Sequence, residues 1–444
     1  MATVPPIVTA AILLCYAHSA RALTTLLPNC TLPTLEEGTA YVLTSSNLRS
    51  TFNILWSSLA TIMACTYSVL HLNVPHQRNG RDPGWKGDLK WLSMGFGVKM
   101  KWSIIAIFAP EWYMLIAASE YYGTRKLRQR LQDLGDSVHG GRQWSINEAF
   151  LIGMGGYGFS CWSRTENREG TQLQAKSFVQ LLELNPSIVL PQLLNADEVA
   201  ARSKSDMFTR SIVLMQILYF VVAVISRWIE HQPVSPLEVA ALAFTICSFC
   251  TYGLYWHKPQ GVTAVTIIAL HDYPIPESLS AVLEKEVYVH HPLSLFDQLP
   301  RLDSGLTRDF LGGSIWLPIS ACTSAVFSAI HLAAWDSTFP TAVERIIWRV
   351  ATLVTALVFI LSWLVEILVR FDAVWWPPTM VRDRFRSQAL KEAEAILSFG
   401  TIVVSIILYI LARLFLIVEP FRSLAYLPLD AYITYWPANV PHFG

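Results

Sequence analysis

Residues 395–418 read AILSFGTIVVSIILYILARLFLIV, with Arg413 their one charged side chain. As an α-helix this stretch is roughly 36 Å long, enough to cross the ~30 Å hydrocarbon core of a bilayer. Helix is required there, because a lone apolar strand in lipid leaves its backbone N–H and C=O groups unpaired. Six further apolar runs are long enough to do the same: Phe52–Leu72, Trp102–Tyr121, Met207–Trp228, Leu237–Trp256, Phe310–Trp335 and Ile346–Val369. The expected fold class is all-α, a polytopic membrane helix bundle of about 6–7 transmembrane helices with polar loops.

Composition agrees. Of the 444 residues, 53% are hydrophobic and only 15% charged, against about 25% charged in water-soluble domains. Sixteen tryptophans suit membrane–water interfaces, where an apolar ring carries a polar N–H into water. Lys+Arg and Asp+Glu balance at 33 each, so no basic excess points to nucleic acid. The bilayer itself is the expected partner, with a lipophilic small molecule as a second. Seven cysteines are scattered, and Cys247-x-x-Cys250 lies inside an apolar run, which reads as helix packing rather than a zinc or redox site.

The chain start has the shape of a cleaved signal peptide over residues 1–22: an apolar core, Ile7–Tyr16, then Ala20-Arg21-Ala22. Asn29-Cys30-Thr31 is a glycosylation sequon, so residues 23–51 are expected in the lumen with Asn29 glycosylated. Residues 52–121 then hold the first two membrane segments, 122–206 a polar loop with a surface helix, and 207–256 a transmembrane hairpin turned by Pro233 and Pro236. A second polar loop covers 257–309, three transmembrane helices 310–419, and a tail 420–444. Basic residues complicate the count. Arg125, Lys126, Arg128 and Arg130 follow the second run, and Arg78, Arg81, Lys86, Lys90, Lys99 and Lys101 precede it. Basic flanks prefer the cytosol. Either the second run crosses, giving seven spans, or it dips in and out around Pro110, giving six and a lumenal C-terminus; the charges favour the dip.

Several stretches carry a resemblance. They are Ile54-Leu55-Trp56-Ser57-Ser58-Leu59, Leu70-His71-Leu72-Asn73-Val74-Pro75, Ala109-Pro110-Glu111, Asn147-Glu148-Ala149-Phe150 with Met154-Gly155-Gly156-Tyr157, Leu254-Tyr255-Trp256-His257-Lys258-Pro259, and Leu411-Ala412-Arg413-Leu414-Phe415. In this order they resemble a large family of fungal multi-pass integral membrane proteins without an assigned activity. The resemblance covers most of residues 50–260 and 310–444. It implies architecture, and an association of some members with secondary-metabolite genes, but no catalytic residue.

Ionisable residues inside spans cost about 2.5–3.5 kcal/mol on insertion scales and need a reason. Glu111 is the leading candidate, beside Pro110, whose missing N–H frees a carbonyl one turn back. It is the expected catalytic acid, with Trp102, Trp112 and Tyr113 as aromatic substrate-binding neighbours and Arg413 as a further substrate-binding candidate, which otherwise either snorkels outward along its stem or pairs with a carboxylate in the bundle. A structural, hydrogen-bonded carboxyl is the competing reading of Glu111. Glu366 and Arg370 are spaced for a structural ion pair, Glu419 and Arg422 are expected at the interface, and Gln216 joins helices. His290-His291 lacks an acidic partner at ligand spacing, so no metal site is expected. Gly153-Met154-Gly155-Gly156-Tyr157-Gly158 fits G-x-G-x-x-G without a preceding strand, and no P-loop is present, so no cofactor is expected. Asn195 with Glu198 forms a capping-box pattern that opens a surface helix running to Asp206. Three functions stay open: a membrane-embedded enzyme acting on a lipophilic metabolite, a transporter or channel, and a scaffold or sensor.

Overall fold

A computed structural model describes residues 49–75, 77–78, 82–138, 142–162, 167–203, 207–270, 316–369 and 388–433. The expected signal peptide, Asn29, His290-His291 and Arg370 lie outside these, as does the side chain of Glu366. The chain is mostly helical. In order it has α1 (Thr51–Val69), α2 (Trp85–Phe108), α3 (Pro110–Val138), α4 (Ile146–Gly153), β1 (Tyr157–Trp162), β2 (Asn167–Gln172), α5 (Ala175–Leu184), α6 (Pro186–Val189), α7 (Ala196–Arg202), α8 (Met207–Ile229), α9 (Pro236–Leu254), β3 (Thr266–Ala269), α10 (Trp316–His331), α11 (Ala342–Val369) and α12 (Gln388–Ser423). Among the described residues five helices, α1, α8, α9, α11 and α12, are long and apolar enough to cross a membrane, or six if the bent pair α2–α3 counts as one span. The chain divides into two compact units, residues 1–65, 212–246 and 325–444, and residues 66–211 and 247–324.

In the first unit, long helices are inverted relative to water-soluble ones. Apolar side chains such as Leu218, Leu361, Ile407 and Leu411 face outward, while Thr245, Thr352 and Thr355 are buried. Thr245, Thr352 and Ser362 return their hydroxyl hydrogens to carbonyls four residues back, the local partner a hydroxyl uses when water is absent. Between helices, Ser328 meets Thr355 at 2.9 Å and Ser362 meets Ser405 at 2.7 Å. Phe359 and Tyr409 pack with ring centroids 5.4 Å apart, joining α11 to α12.

One end of these helices is tied by arginines. Arg49, just before α1, pairs with Glu238 in the first turn of α9 and donates through Nε to the Ala431 carbonyl at 2.7 Å. Arg227, in the last turn of α8, donates to the same carbonyl at 3.1 Å and to those of Pro233 and Ile433 at 3.0 Å each. Arg422, in the last turn of α12, pairs with Glu344 in the first turn of α11. Glu238 and Glu344 also close capping boxes with Ser235 and Thr341. The start of α1, the end of α8, the starts of α9 and α11 and the end of α12 therefore share one end of the unit. Glu419, near the end of α12, is 2% exposed.

The second unit departs from the all-α expectation. Residues 122–206, read as a polar loop, fold with residues 262–270 into an α/β lobe. Its three-stranded sheet has the order β2-β1-β3, with β1 antiparallel to β2 and parallel to β3. Leu151, Phe159, Phe178, Leu181, Val199 and Ile268 are among the side chains of its buried core. Short strands leave little periodic signal, whereas the core depends on residues roughly a hundred positions apart. The glycine motif is the turn from α4 into β1. Gly155 has φ +75°, and a Cβ on Gly156 would lie 2.4 Å from Leu151 Cδ1, so both positions need glycine for the turn itself. The order is helix, turn, strand, the reverse of a nucleotide-binding motif. Asn195 and Glu198 do form the expected capping box, but α7 ends at Arg202 rather than Asp206.

Phe178 is fully buried in the lobe core. Phe178→Ala is expected to cost about 3–5 kcal/mol, and so to lower amide protection in β1 and α5 by at least about a hundredfold in hydrogen exchange, leaving α11 and α12 unchanged.

Candidate functional site

The second run of the sequence is broken by its own proline. Proline excludes the preceding residue from helical geometry, and Ala109 adopts φ −143°, ψ 70°. Pro110 then opens α3, where its missing N–H is not needed. The axes of α2 and α3 meet at a bend of 112°. Glu111 lies in the first turn of α3 and is 1% exposed. A carboxylate there faces the positive end of the helix dipole, which lowers the cost of its burial.

Aromatic rings extend inward from this bend. Trp102 and Tyr113 are both buried and pack edge-to-face, with centroids 6.2 Å apart. Tyr113 packs on Tyr255 at 6.4 Å, and His71 lies 5.3 Å from Tyr255. Trp112 is 39% exposed. Thus two of the three expected aromatic neighbours, Trp102 and Tyr113, are buried with Glu111 at the bend.

The rings lead to a buried ion pair that the sequence reading did not weigh. Lys258 pairs with Glu120 of α3, and its ammonium sits 4.5 Å from the centroid of the Tyr255 ring. Tyr255 also hydrogen-bonds Glu120 through its hydroxyl. Burial pushes the Lys258 ammonium below the ordinary lysine range, and Glu120 opposes that shift. A cavity of about 10 Å³, lined by Asn73, Glu120, Thr124, Phe150, Gly153, Met154 and Lys258, adjoins the pair. That is room for about one water molecule. The cluster has the chemistry to hold or pass a proton and lacks the volume for an organic substrate. The available sequence signal was two opposite charges, each beside the end of an apolar run.

Arg413 belongs to the other unit. It is 1% exposed, so it does not snorkel outward. Its guanidinium lies 4.1 Å from the centroid of the Phe327 ring, and Phe327 packs on His331 at 4.4 Å. His331 in turn donates through Nδ1 to the Phe327 carbonyl at 3.0 Å and packs on Trp348. Cys247 is buried and Cys250 exposed, as expected for helix packing. Among the described residues no group of three His, Cys, Asp or Glu side chains is placed to hold a metal ion.

A helical chain with five or six apolar helices and an α/β lobe is the class these features define. The chain belongs to DUF8562, a family of unknown function, whose family model matches residues 24–283 and 288–443. No curated protein and no solved structure matches it.

Removing one partner of a buried ion pair leaves the other charge uncompensated, at a cost of about 3–5 kcal/mol. Glu120→Gln and Lys258→Met are each expected to lower thermal stability of the purified protein sharply. The double variant Glu120→Gln/Lys258→Met is expected to recover much of the loss, which a double-mutant cycle on melting temperature measures.

Proposed function

We propose that this is an integral membrane protein with six crossings, made by α1, α8, α9, α10, α11 and α12, and that the bent pair α2–α3 does not cross. The arginine ties support this count. Arg49 and Arg227 share the Ala431 carbonyl, so α1 starts and α8 ends on one membrane face. Both helices cross, so residues 70–206 begin and end on the opposite face and contain an even number of crossings. Likewise α9 and α11 both start on the arginine face, so one crossing must lie between them, and α10 supplies it. The sequon at Asn29 and the basic residues of 78–130 favour a lumenal arginine face and entry through the secretory pathway. In a cysteine-free background, Asp430→Cys and Lys176→Cys, both exposed, are expected to label from opposite sides of the membrane. Labelling from one side removes the six-crossing topology.

Within that topology, the reading best supported is a membrane-embedded enzyme acting on a lipophilic metabolite, of the kind made in fungal secondary metabolism. One observation carries it: a buried carboxyl, Glu111, in the first turn after a helix break, in a unit where Trp102 and Tyr113 are buried as well. An ionisable group buried beside apolar membrane helices is a functional-site candidate by default. Glu111 is assigned as general acid, with the rings holding an apolar substrate. A second reading, a pathway for an ion or small molecule, is favoured by Arg413 and His331 buried among the crossing helices. Glu111→Gln keeps shape and hydrogen bonding but removes the ionisable proton. At matched protein levels, acid catalysis predicts about a 10²–10⁴-fold loss of product; a pathway predicts product made but retained in cells. Wild-type output from Glu111→Gln, with depletion of the protein by Glu111→Ala, makes Glu111 structural.

A further inference from the structure

We propose that α2 lies in the plane of the bilayer and that its lysines bind the headgroups of anionic phospholipids. This rests on the six-crossing reading and adds a specific lipid-binding surface to it. Trp85, Leu89, Leu92, Phe96 and Met100 recur at helical spacing within an arc of about 80°, and each is 43–72% exposed. A continuous apolar stripe of this length is rare against water. Lys86, Lys90 and Lys101 flank the stripe on one side and Lys99 on the other, as their positions on the helical wheel require.

Charge decides the orientation. The helix carries four lysines and one acidic residue, Asp88, giving 4 − 1 = +3. Asp88 is taken by Arg78, and Lys90 reaches Asp82 at 2.8 Å. From Lys86 to Lys101 the lysines spread over about 22 Å of helix axis. A helix standing across the membrane would carry some of them into the hydrocarbon core. Lying flat, it sinks the stripe below the headgroups and leaves every lysine at phosphate level, the arrangement of interfacial amphipathic helices. Trp85, beside Lys86, suits the same depth. A positive helix of this kind selects the anionic over the zwitterionic lipid, by about fivefold for each lysine at the surface.

The test uses full-length protein in liposomes of phosphatidylcholine with phosphatidylserine. A bimane fluorophore is placed at Phe96→Cys in α2, and separately at Ile407→Cys on the outward face of α12. Each is quenched by spin-labelled phosphatidylserine or spin-labelled phosphatidylcholine. The expected result is quenching at both positions, with several-fold preference for phosphatidylserine at residue 96 and none at residue 407. Lys86→Gln/Lys99→Gln/Lys101→Gln is expected to bring the preference at residue 96 to about one while leaving phosphatidylcholine quenching intact, which also shows that the helix is still folded and seated. Added inorganic phosphate is expected to leave the preference unchanged. Quenching at residue 407 but not at residue 96 overturns the proposal and spares the membrane reading; no quenching at either position overturns both. Equal quenching by the two lipids at residue 96, or loss of the preference to inorganic phosphate, also overturns it.

Discussion

The carbonyl oxygen of Ala431 accepts hydrogen bonds from two arginines, Arg49 and Arg227, that lie nearly 180 residues apart in the chain. An exposed ion pair contributes little. Here the partners are a backbone carbonyl and a carboxylate, Glu238, at the rim of apolar helices, where few other donors are present. The two guanidinium groups satisfy the carbonyls of the tail after α12 and the acid that caps α9. This single knot sets the ends of α1, α8 and α9 level, and the Arg422–Glu344 pair adds α11 and α12. The relative direction of these helices follows from it.

The first unit solves burial by segregation. Its long helices carry apolar residues outward and bury serine and threonine hydroxyls, several of them bonded to a carbonyl or another hydroxyl. Arg413 and His331 are the exceptions, held among aromatic rings rather than at a surface. The second unit solves burial in the ordinary way of a water-soluble domain, with a sheet and short helices around a core of Leu151, Phe159 and Phe178. Its buried charges, Glu120 and Lys258, are neutralised by each other, with Tyr255 completing the hydrogen bonding of the carboxylate. Glu111 is handled differently again, by placement at the start of a helix whose dipole favours negative charge. The three arrangements imply different consequences of substitution: loss of charge balance at the pair, loss of a buried carboxyl at the bend, loss of packing at Arg413.

The apolar runs gave the long helices directly, because length and hydropathy are properties of contiguous residues. Pro110 likewise announced the break between α2 and α3, since its ring constrains the residue before it whatever surrounds it. Asn195 and Glu198 announced a capping box for the same reason: all its partners lie within four positions. The contact between Trp102 and Tyr113 joins two residues close in the chain, one on each side of Pro110. What the sequence did not reveal depends on distance. The lobe within residues 122–206 needs β3, from beyond α9, to complete its sheet. Glu120 and Lys258 become partners only when α3 and the end of α9 meet, and neither residue taken alone differs from a charge at the edge of an apolar run. Arg413 was recognisable as unusual, but whether it reached outward or stayed buried depended on Phe327 standing beneath it. Local steric and hydropathic rules set the helices and their breaks; the pairing of charges and the packing of the lobe were decided by tertiary structure, because burial makes a partner necessary and only the fold brings that partner within reach.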